Sequence, residues 1–340
     1  MLEKQHLIPE PEEFIAEFPL TKEMQAVKAQ RDEEIQKVIT GQSNKLLVII
    51  GPCSAHESAS TLEYVKRLAK FNEKVKNELV IVPRIYTNKP RTKGVGYKGM
   101  FLQPDPNGEV DIIRGIRSSR ALHLAVISES GLTSADEMLY PENTAYIEDL
   151  LSYHAVGARN VESPLHRQVA SGVEGAVGVK NPMSGNLLAM INSVYAVQSP
   201  QTFKYRDYQV RSSGNPLAHA ILRGGVDATG ADVPNFDLET MEKVDELYRE
   251  NSLQNPAVII DTNHSNSAKH HLEQLEIAQE VMKNRRQNAD FKKLFKGFMI
   301  ESFLEEGNQV RGEVFGKSIT DPCLGWEDTE KLLFDLAEKV

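Results

Sequence analysis

Four residues of this sequence have side chains that bind transition metals, and each ends or follows a predicted strand. They are Cys53, His264, Glu301 and Asp321. One thiolate, one imidazole and two carboxylates form a mixed donor set that suits Mn, Fe, Co or Zn better than Mg or Ca. No C-x-x-C or H-E-x-x-H motif supports the set. Taken singly, Cys53 is better explained as a small buried apolar side chain, and His264 as a core histidine.

Six cationic residues lie at the ends of predicted strands or in the loops that follow. They are Arg84, Lys89, Arg91, Arg159, Lys180 and Arg223. The whole chain has a net charge of −9, so it should repel nucleic acids and anionic membrane surfaces. A single cation is usually an ordinary surface residue. Six cations at equivalent positions indicate an anionic substrate with more than one phosphate or carboxylate.

Eight short apolar runs would position these side chains. They cover residues 46–51, 79–84, 132–137, 155–159, 175–180, 219–225, 258–264 and 297–301. Apolar runs separated by helix-length connections predict parallel strands covered by helices. Eight such strands favour a (β/α)8 TIM barrel with its site at the C-terminal ends of the strands. An open doubly wound sheet would also place a site there, and the third run is the weakest because polar residues interrupt it.

Two segments fall outside the regular alternation of strands and helices. Residues 1–40 are charged and predicted to be mostly helical. Their apolar positions at near-helical spacing are Met24, Val27, Ile35 and Val38. We expect residues 1–40 to form an N-terminal helical extension that packs on the outside of the barrel or on another subunit, and residues 41–340 to form the catalytic barrel. Residues 200–217, with alternating aromatic side chains, predict a hairpin-like insertion before strand 6.

The composition limits where the protein can work. Hydrophobic residues make up 40% of the 340 residues, which is ample for a core. No apolar stretch reaches the roughly 20 residues needed to cross a bilayer, and the first residues lack the apolar stretch of a signal peptide. Two cysteines argue against a disulfide framework. We therefore expect a cytoplasmic protein.

Residues 94–99, GVGYKG, formally match the dinucleotide-binding pattern G-x-G-x-x-G. That motif needs a strand directly before it and a helix directly after it. Here residues 89–93 separate it from the strand, and two prolines in the following residues prevent a helix from starting there. We expect a loop whose glycines allow it to fold closely over a ligand.

Several segments together make the sequence resemble type I DAHP synthases, where DAHP is 3-deoxy-D-arabino-heptulosonate 7-phosphate. They are GPCSAH (51–56), PRIYTNKPRT (83–92), GARNVESPLHR (157–167), VGVKNPMSGN (177–186), AILRGG (220–225), DTNHSNSAK (261–269), IESFLEEGNQ (300–309) and GKSITDPCLGWEDTE (316–330). The resemblance implies a transferase, 3-deoxy-7-phosphoheptulonate synthase, with a metal-dependent (β/α)8 barrel. Such an enzyme joins phosphoenolpyruvate to erythrose 4-phosphate in the first step of the shikimate pathway, which leads to chorismate and the aromatic amino acids.

The resemblance also implies roles for individual residues. One divalent metal ion (Mn, Fe, Co or Zn) would be bound by Cys53, His264, Glu301 and Asp321. Phosphoenolpyruvate would be held by Arg84, Lys89, Arg159, Lys180 and Arg223. Erythrose 4-phosphate would lie along Lys89, Pro90, Arg91 and Thr92. Lys89 is the candidate for proton transfer, and Glu137 matches a family carboxylate near phosphoenolpyruvate and a site water. The group that moves each proton stays open.

In similar enzymes the N-terminal extension joins a subunit contact and helps form an inhibitor pocket. The resemblance therefore implies a homodimer or homotetramer and a possible aromatic amino acid inhibitor. This sequence has Tyr97 where the enterobacterial enzymes carry tryptophan, and it differs from them at residues 136–140 and 173–175. These departures leave the identity of any inhibitor open.

Two other functions are compatible with part of the pattern. A synthase of KDO 8-phosphate would also condense phosphoenolpyruvate with a sugar phosphate, but the KPRT sequence at residues 89–92 argues against it. A non-catalytic aromatic amino acid sensor would be expected to have lost metal ligands or anion-binding residues, and the sequence retains all of them.

Overall fold

Eight parallel strands form a barrel within residues 1–91 and 94–340, the part of the chain that the computed structural model describes. The strands are β1 (Leu46–Gly51), β2 (Leu79–Pro83), β3 (Ser134–Glu137), β4 (Leu151–Val156), β5 (Ala176–Lys180), β6 (Ala218–Leu222), β7 (Val258–Asp261) and β8 (Phe295–Glu301). Their hydrogen-bonded order is β2-β1-β8-β7-β6-β5-β4-β3. A parallel bridge between Arg84 and Ala135 joins the two edges. The predicted barrel is therefore confirmed over an open sheet.

Helices alternate with the strands along the chain. They are α1 (Pro11–Glu17), α2 (Lys22–Ile39), α3 (Ser58–Val75), α4 (Ile112–Ser130), α5 (Pro141–Thr144), α6 (Pro164–Ala170), α7 (Leu187–Gln198), α8 (Leu238–Glu250), α9 (Glu273–Gln287), α10 (Ala289–Leu294) and α11 (Trp326–Glu338). The helix α9 cannot include Ala268 and Lys269, because these residues have left-handed backbone φ angles of 47° and 64°. Across the described residues, no helix is long and apolar enough to span a membrane.

Successive strand residues alternate between the barrel interior and the layer of helices. In β1, Leu47 and Ile49 belong to an interior core that also contains Val82 and Ile259. The residues between them pack in a second core with α3 side chains such as Leu68. Because both faces of each strand are buried, the strands are almost continuously apolar, and this makes them recognisable in the sequence.

The helix α2 closes the N-terminal end of the barrel. Its residues Ile35, Val38 and Ile39 are buried in the interior core together with the strand side chains. Buried Arg31 donates a hydrogen bond from Nη2 to the backbone oxygen of Ile81 in β2. This placement differs from the expected packing on the outside of the barrel or on another subunit. Without α2, this end of the barrel would expose apolar interior side chains to water, and α2 covers them.

The first residues of the chain dock on the side of the barrel. Phe14 of α1 packs with Phe101 and Ile116 of α4. Its ring lies edge-on to Tyr146, with 5.5 Å between ring centroids. The Tyr146 hydroxyl donates a 3.0 Å hydrogen bond to the backbone oxygen of Pro9. Both ends of the extension are therefore attached to the barrel within one chain.

An antiparallel hairpin of Thr202–Tyr205 and Tyr208–Arg211 precedes β6, which confirms the predicted insertion. Arg206 at its turn has a left-handed φ of 52°. The Arg206 guanidinium forms ion pairs with Glu10 and Glu12. The hairpin and the N-terminal extension therefore share one surface of the molecule.

Replacing Ile35 with alanine should lower the free energy of unfolding by about 2–5 kcal/mol, because it removes a buried side chain from the barrel floor. The matched control is Gln36→Ala, an exposed position of the same helix, which should change stability by less than about 0.5 kcal/mol. Urea unfolding followed by circular dichroism measures both. Equal stability of the two variants would contradict the packing of α2.

Candidate active site

A cavity of about 370 Å³ opens at the C-terminal ends of the barrel strands. Eleven of the residues predicted from the sequence line it: Cys53, Arg84, Lys89, Pro90, Arg91, Glu137, Arg159, Lys180, Arg223, His264 and Asp321. Glu301 lies behind Arg84 and pairs with it, at 2.9 Å between Oε1 and Nη2. Thr92 lies outside the described residues. The fold thus collects side chains from all parts of the sequence around one space.

Three of the four predicted metal ligands form a compact group. The donor atoms of Cys53, Glu301 and Asp321 all lie within 4.8 Å of one another. The Cys53 sulfur is 3.3 Å from Oδ2 of Asp321. The fourth residue, His264, points its Nε2 toward the group and lies 4.0 Å from Oε1 of Glu301. Sulfur, imidazole and carboxylate donors at this separation fit a divalent transition-metal ion.

The ammonium group of Lys89 lies against this donor group. Its Nζ is 2.7 Å from the Cys53 sulfur and 3.2 Å from Oδ2 of Asp321. Burial alone would lower the pKa of Lys89, but the neighbouring Cys53 sulfur and the carboxylates of Asp321 and Glu301 outweigh burial and raise it. Lys269 approaches the other carboxylate oxygen of Asp321 at 3.0 Å. The donor group therefore attracts positive charge.

The orientation of His264 depends on a carboxylate that the sequence analysis did not single out. Nδ1 of His264 is 2.9 Å from Oδ2 of Asp261, the last residue of β7. Lys180 reaches the same oxygen at 3.4 Å. With Nδ1 facing Asp261, Nε2 is directed toward Glu301, the arrangement that carboxylates commonly impose on metal-binding histidines. Burial lowers the pKa of His264, which favours the neutral imidazole that can bind a metal.

Burial of the Cys53 side chain raises the pKa of its thiol to about 11, and the nearby carboxylate of Glu301 adds to the increase. A thiol in this environment stays protonated until a strong cation binds it, because coordination to a metal deprotonates a thiol. The thiol therefore suits a metal ligand better than a free nucleophile.

The buried pair of Arg84 and Glu301 forms the back wall of the cavity. The Arg84 guanidinium lies 3.7 Å from the ring centroid of Tyr86 and also donates to the backbone oxygen of Pro52. The second oxygen of Glu301 accepts a 2.7 Å hydrogen bond from Nδ2 of Asn263. Each charge of the pair is therefore matched by additional hydrogen bonds or by the aromatic ring, which a buried ion pair requires.

Three buried asparagines join the loops that follow β5, β6 and β7. Asn181 accepts a 2.9 Å hydrogen bond from the backbone nitrogen of Arg223. Asn235 accepts a 2.7 Å bond from Gly224, and its own backbone nitrogen donates to Asn266 at 2.8 Å. Gly224 has a φ of 74°, and a Cβ there would lie 2.6 Å from the backbone nitrogen of Asn266. Only glycine allows the two loops to come this close.

The described part of the loop after β2 contributes Lys89, Pro90 and Arg91, and it folds back on itself. The backbone nitrogen of Lys89 donates a 3.1 Å hydrogen bond to the oxygen of Lys98. Nε of Arg91 donates to the oxygen of Tyr97 at 2.8 Å. The glycine-rich segment at residues 94–99 therefore lies in a loop, well before α4 begins at residue 112.

Glu137 reaches the cavity from the end of β3. A Cβ added to Gly157 would lie 2.2 Å from Oε1 of Glu137, so the absence of a side chain at Gly157 leaves room for this carboxylate. The preceding Asp136 accepts hydrogen bonds from Thr87, at 3.0 Å from the backbone nitrogen and 2.5 Å from the hydroxyl. Asp136 thereby ties β3 to the loop that carries Lys89.

The residues of the site that were not predicted from the sequence mainly orient others: Tyr86, Asp136, Gly157, Asn181, Asn235, Asp261, Asn263 and Asn266. A partial signal exists, because most of these residues lie within the segments that resemble type I DAHP synthases. Most of the residues they contact are distant in the sequence. Their positioning roles therefore emerge only from the folded chain.

A (β/α)8 barrel with a candidate metal centre and a ring of cations at its C-terminal face defines an enzyme for small anionic substrates. The sequence model of the DAHP synthetase I family matches residues 18–334. The Trp-sensitive phospho-2-dehydro-3-deoxyheptonate aldolase of Enterobacter agglomerans is 39% identical, over 97% of this chain and 94% of its own. The Phe-sensitive enzyme of Escherichia coli K12 is 39% identical, over 99% and 95%.

A solved structure of phospho-2-dehydro-3-deoxyheptonate aldolase from Francisella tularensis matches this fold with a TM-score of 0.93 at 32% identity, over 100% of this chain and 98% of that chain. The chain belongs to the DAHP synthetase I family. Its reaction is the condensation of phosphoenolpyruvate with erythrose 4-phosphate and water to DAHP and phosphate, the first step of the shikimate pathway. This confirms the predicted activity over the synthesis of KDO 8-phosphate and over a non-catalytic sensor.

Replacing Gly157 with alanine should displace the Glu137 carboxylate and lower kcat/KM at least about tenfold. The new methyl group would meet the end of a flexible side chain, so we expect the fold to survive. The matched control is Gly172→Ala, because a Cβ there would have no neighbour closer than 3.5 Å. Steady-state kinetics and thermal unfolding measure the two variants. Unchanged kcat/KM in Gly157→Ala would contradict the proposed steric role.

Proposed function

We propose that the cavity holds the two substrates side by side and that its cations divide between them. Phosphoenolpyruvate carries a carboxylate and a phosphate, and erythrose 4-phosphate carries a phosphate, so together they bring about five negative charges. The observation that carries this proposal is the convergence of seven cationic side chains and a mixed donor group on one cavity. Such charges act strongly on a bound anion because the surrounding barrel excludes water.

For phosphoenolpyruvate we assign the inner wall of the cavity. Arg84 and Lys180 are both buried and lie beside the ring of Tyr86, at 3.7 and 5.7 Å from its centroid. Arg223 is buried at the end of β6, where burial lowers the pKa of its guanidinium without making it neutral. Arg159 lies at the outer edge of the same wall. Planar guanidinium groups suit the two-oxygen recognition of carboxylate and phosphate.

For erythrose 4-phosphate we assign the loop after β2. Lys89, Pro90 and Arg91 line the cavity on the side next to the donor group. Thr92 completes the proposed set by resemblance alone. This arrangement would place the aldehyde near Cys53 and Asp321 and the phosphate near Arg91. The aldehyde carbon could then meet C3 of phosphoenolpyruvate between the two walls.

Cys53, His264, Glu301 and Asp321 would hold one divalent metal ion. When bound, the ion supplies a positive charge that polarises the aldehyde oxygen. The ammonium of Lys89 lies 2.7 Å from the Cys53 sulfur and 3.2 Å from Oδ2 of Asp321. It must move away before Cys53 and Asp321 can bind the metal ion. We infer that Lys89 then turns toward the substrates.

Lys89 and Glu137 are the proposed proton-transfer groups. A protonated Lys89 at the junction of the two substrates can donate a proton to the oxygen of the former aldehyde as the new carbon–carbon bond forms. Glu137, on the phosphoenolpyruvate side, can accept a proton from the water that adds at C2. The bond from C2 to the phosphate oxygen then breaks, and phosphate leaves.

Removing divalent metals with a chelator should abolish the formation of DAHP from the two substrates, and adding Mn or Zn should restore it. Cys53→Ser should weaken metal binding at least about tenfold, since a hydroxyl is a poor substitute for a thiolate ligand. The matched control is Cys323→Ser, at the other buried cysteine, which should keep its metal. Metal content by mass spectrometry and the product assay check both. Full activity after exhaustive chelation would refute the metal assignment.

Arg91→Ala should raise KM for erythrose 4-phosphate more than KM for phosphoenolpyruvate, and Arg223→Ala should show the opposite bias. Each loses a charge-assisted contact of about 2–3 kcal/mol, which corresponds to roughly 30- to 150-fold in specificity. Arg91→Lys and Arg223→Lys serve as controls that keep the charge and should lose less. Equal effects of both alanine variants on both substrates would refute the two-pocket division.

We further propose that the chain forms a homodimer or homotetramer and that an aromatic amino acid regulates it. The support is the shared surface of the N-terminal extension and the hairpin, where Tyr208 is 71% exposed. Two relatives are named for sensitivity to Trp and to Phe. Sizing the protein and assaying it with phenylalanine, tyrosine and tryptophan in turn tests both parts. A monomer that none of the three inhibits would overturn them.

A further inference from the structure

A second cavity, of about 830 Å³, lies at the N-terminal end of the barrel, on the face opposite the active site. It is bordered by the loop between α2 and β1, by one face of α8, and by the region where α10 runs into β8. Its volume is in the range of sites that bind small molecules. Neither the family reaction nor the regulatory proposal uses this cavity.

The charge of this cavity is opposite to that of the whole chain. Its lining contains six cationic residues: Lys45, Arg249, Arg285, Lys292, Lys293 and Lys296. Only two acidic residues line it, Asp245 and Asp290, although the chain has a net charge of −9. Asp245 already pairs with Arg249 at 3.0 Å. Among the described residues, no carboxylate lies within salt-bridge distance of Lys292, Lys293 or Lys296.

Arg285 contributes a buried cation to the wall of the cavity. It is 4% exposed, and its guanidinium donates hydrogen bonds to main-chain oxygens, at 3.1 Å to Val340, the last residue of the sequence, at 3.4 Å to Lys339 and at 3.5 Å to Asn44. Its Nε is buried without a hydrogen-bond partner among the described residues. Burial of a charged group is costly unless each of its polar atoms is hydrogen-bonded, so this Nε is one atom that a bound anion could satisfy.

Lys296, at the start of β8, is held close to the other cations. It is half-buried, and its Nζ would lie 3.4 Å from a Cβ added to Gly41 in the loop before β1. Burial and the neighbouring charge of Lys293 both lower the pKa of Lys296. Like charges gathered around a concave surface repel one another, and an anion bound between them would relieve that repulsion.

We propose that this basic cavity binds a small polyanion that carries at least two phosphate groups. Lys293 and Lys296 provide point charges in the lining of the cavity, and Arg285 provides a guanidinium. Arg and Lys side chains bind phosphate oxygens through charge-assisted hydrogen bonds. The strands β1 and β8 lead from this cavity to Cys53 and Glu301. The site is nevertheless distinct from the substrate cavity at the other face.

Lysine footprinting with inorganic pyrophosphate tests the location of this site. The full-length protein is acetylated with acetic anhydride, with and without pyrophosphate, and modified lysines are quantified by mass spectrometry. Modification of Lys293 and Lys296 should slow at least about threefold, whereas exposed Lys22 and Lys70 should be unaffected. Sodium chloride at matched ionic strength controls for simple screening. Equal protection by sodium chloride, or no protection at Lys293 and Lys296, would overturn the proposal.

Calorimetric titration with pyrophosphate tests the contribution of the same side chains. Lys293→Ala combined with Lys296→Ala should remove one binding event or weaken it at least tenfold. The matched control, Lys22→Ala combined with Lys70→Ala, removes the same charge elsewhere and should bind like the unmodified protein. If the first double variant unfolds, Lys292→Glu with Lys293→Glu replaces it, because both side chains are exposed. Unchanged binding in the variant used, or equal loss in the control, would refute the site.

Discussion

The buried ion pair between Arg84 and Glu301 is the interaction on which the active face depends. Arg84 lies just beyond β2 and takes part in the bridge to β3 that closes the barrel. Glu301 ends β8 and belongs to the compact donor group with Cys53 and Asp321. One contact of 2.9 Å therefore connects barrel closure, anion binding and the candidate metal centre. Removing either partner would leave an unpaired buried charge and lower the free energy of unfolding by about 3–5 kcal/mol.

The site around this pair is a balance of opposite charges at short range. Lys89 and Lys269 share Asp321, and Lys180 and His264 share Asp261. The lysine ammonium groups help to keep the carboxylates ionised against the effect of burial, as the lowered pKa values of Asp261 and Asp321 indicate. Anionic substrates and a metal ion would compete for the same partners. Ligand binding would therefore rearrange existing pairs instead of filling a neutral cavity.

The loops that carry these charges are held by close backbone contacts. His264 has a left-handed φ of 50°, and Ala268 and Lys269 follow it in the same region of conformational space. Such backbone conformations persist when the surrounding structure determines them. The asparagine bonds from Asn181, Asn235 and Asn266 provide that support. These contacts hold the side chains of the site in position.

The sequence by itself predicted most of the strands, because a strand buried on both faces is largely apolar. Polar residues weakened the signal of β3, and β4 (Leu151–Val156) begins four residues before the run predicted at 155–159. The sequence also determined which charged residues gather, since the C-terminal ends of parallel barrel strands all meet on one face. Cys53, Arg84, Lys180, Arg223 and His264 could therefore be placed around one site before any coordinates. Their family motifs made the reaction predictable as well.

Only the tertiary structure decided how these side chains are oriented. Asp261 directs His264, Gly157 leaves room for Glu137, and α2 closes the barrel floor. Some of these contacts join residues that are far apart in the sequence. The others depend on distances of a few ångströms. Such contacts cannot be predicted from local composition, because they depend on the register of the strands and on the packing of loops. The basic cavity at the far end arises in the same way, from cations contributed by separate elements that meet only in the folded barrel.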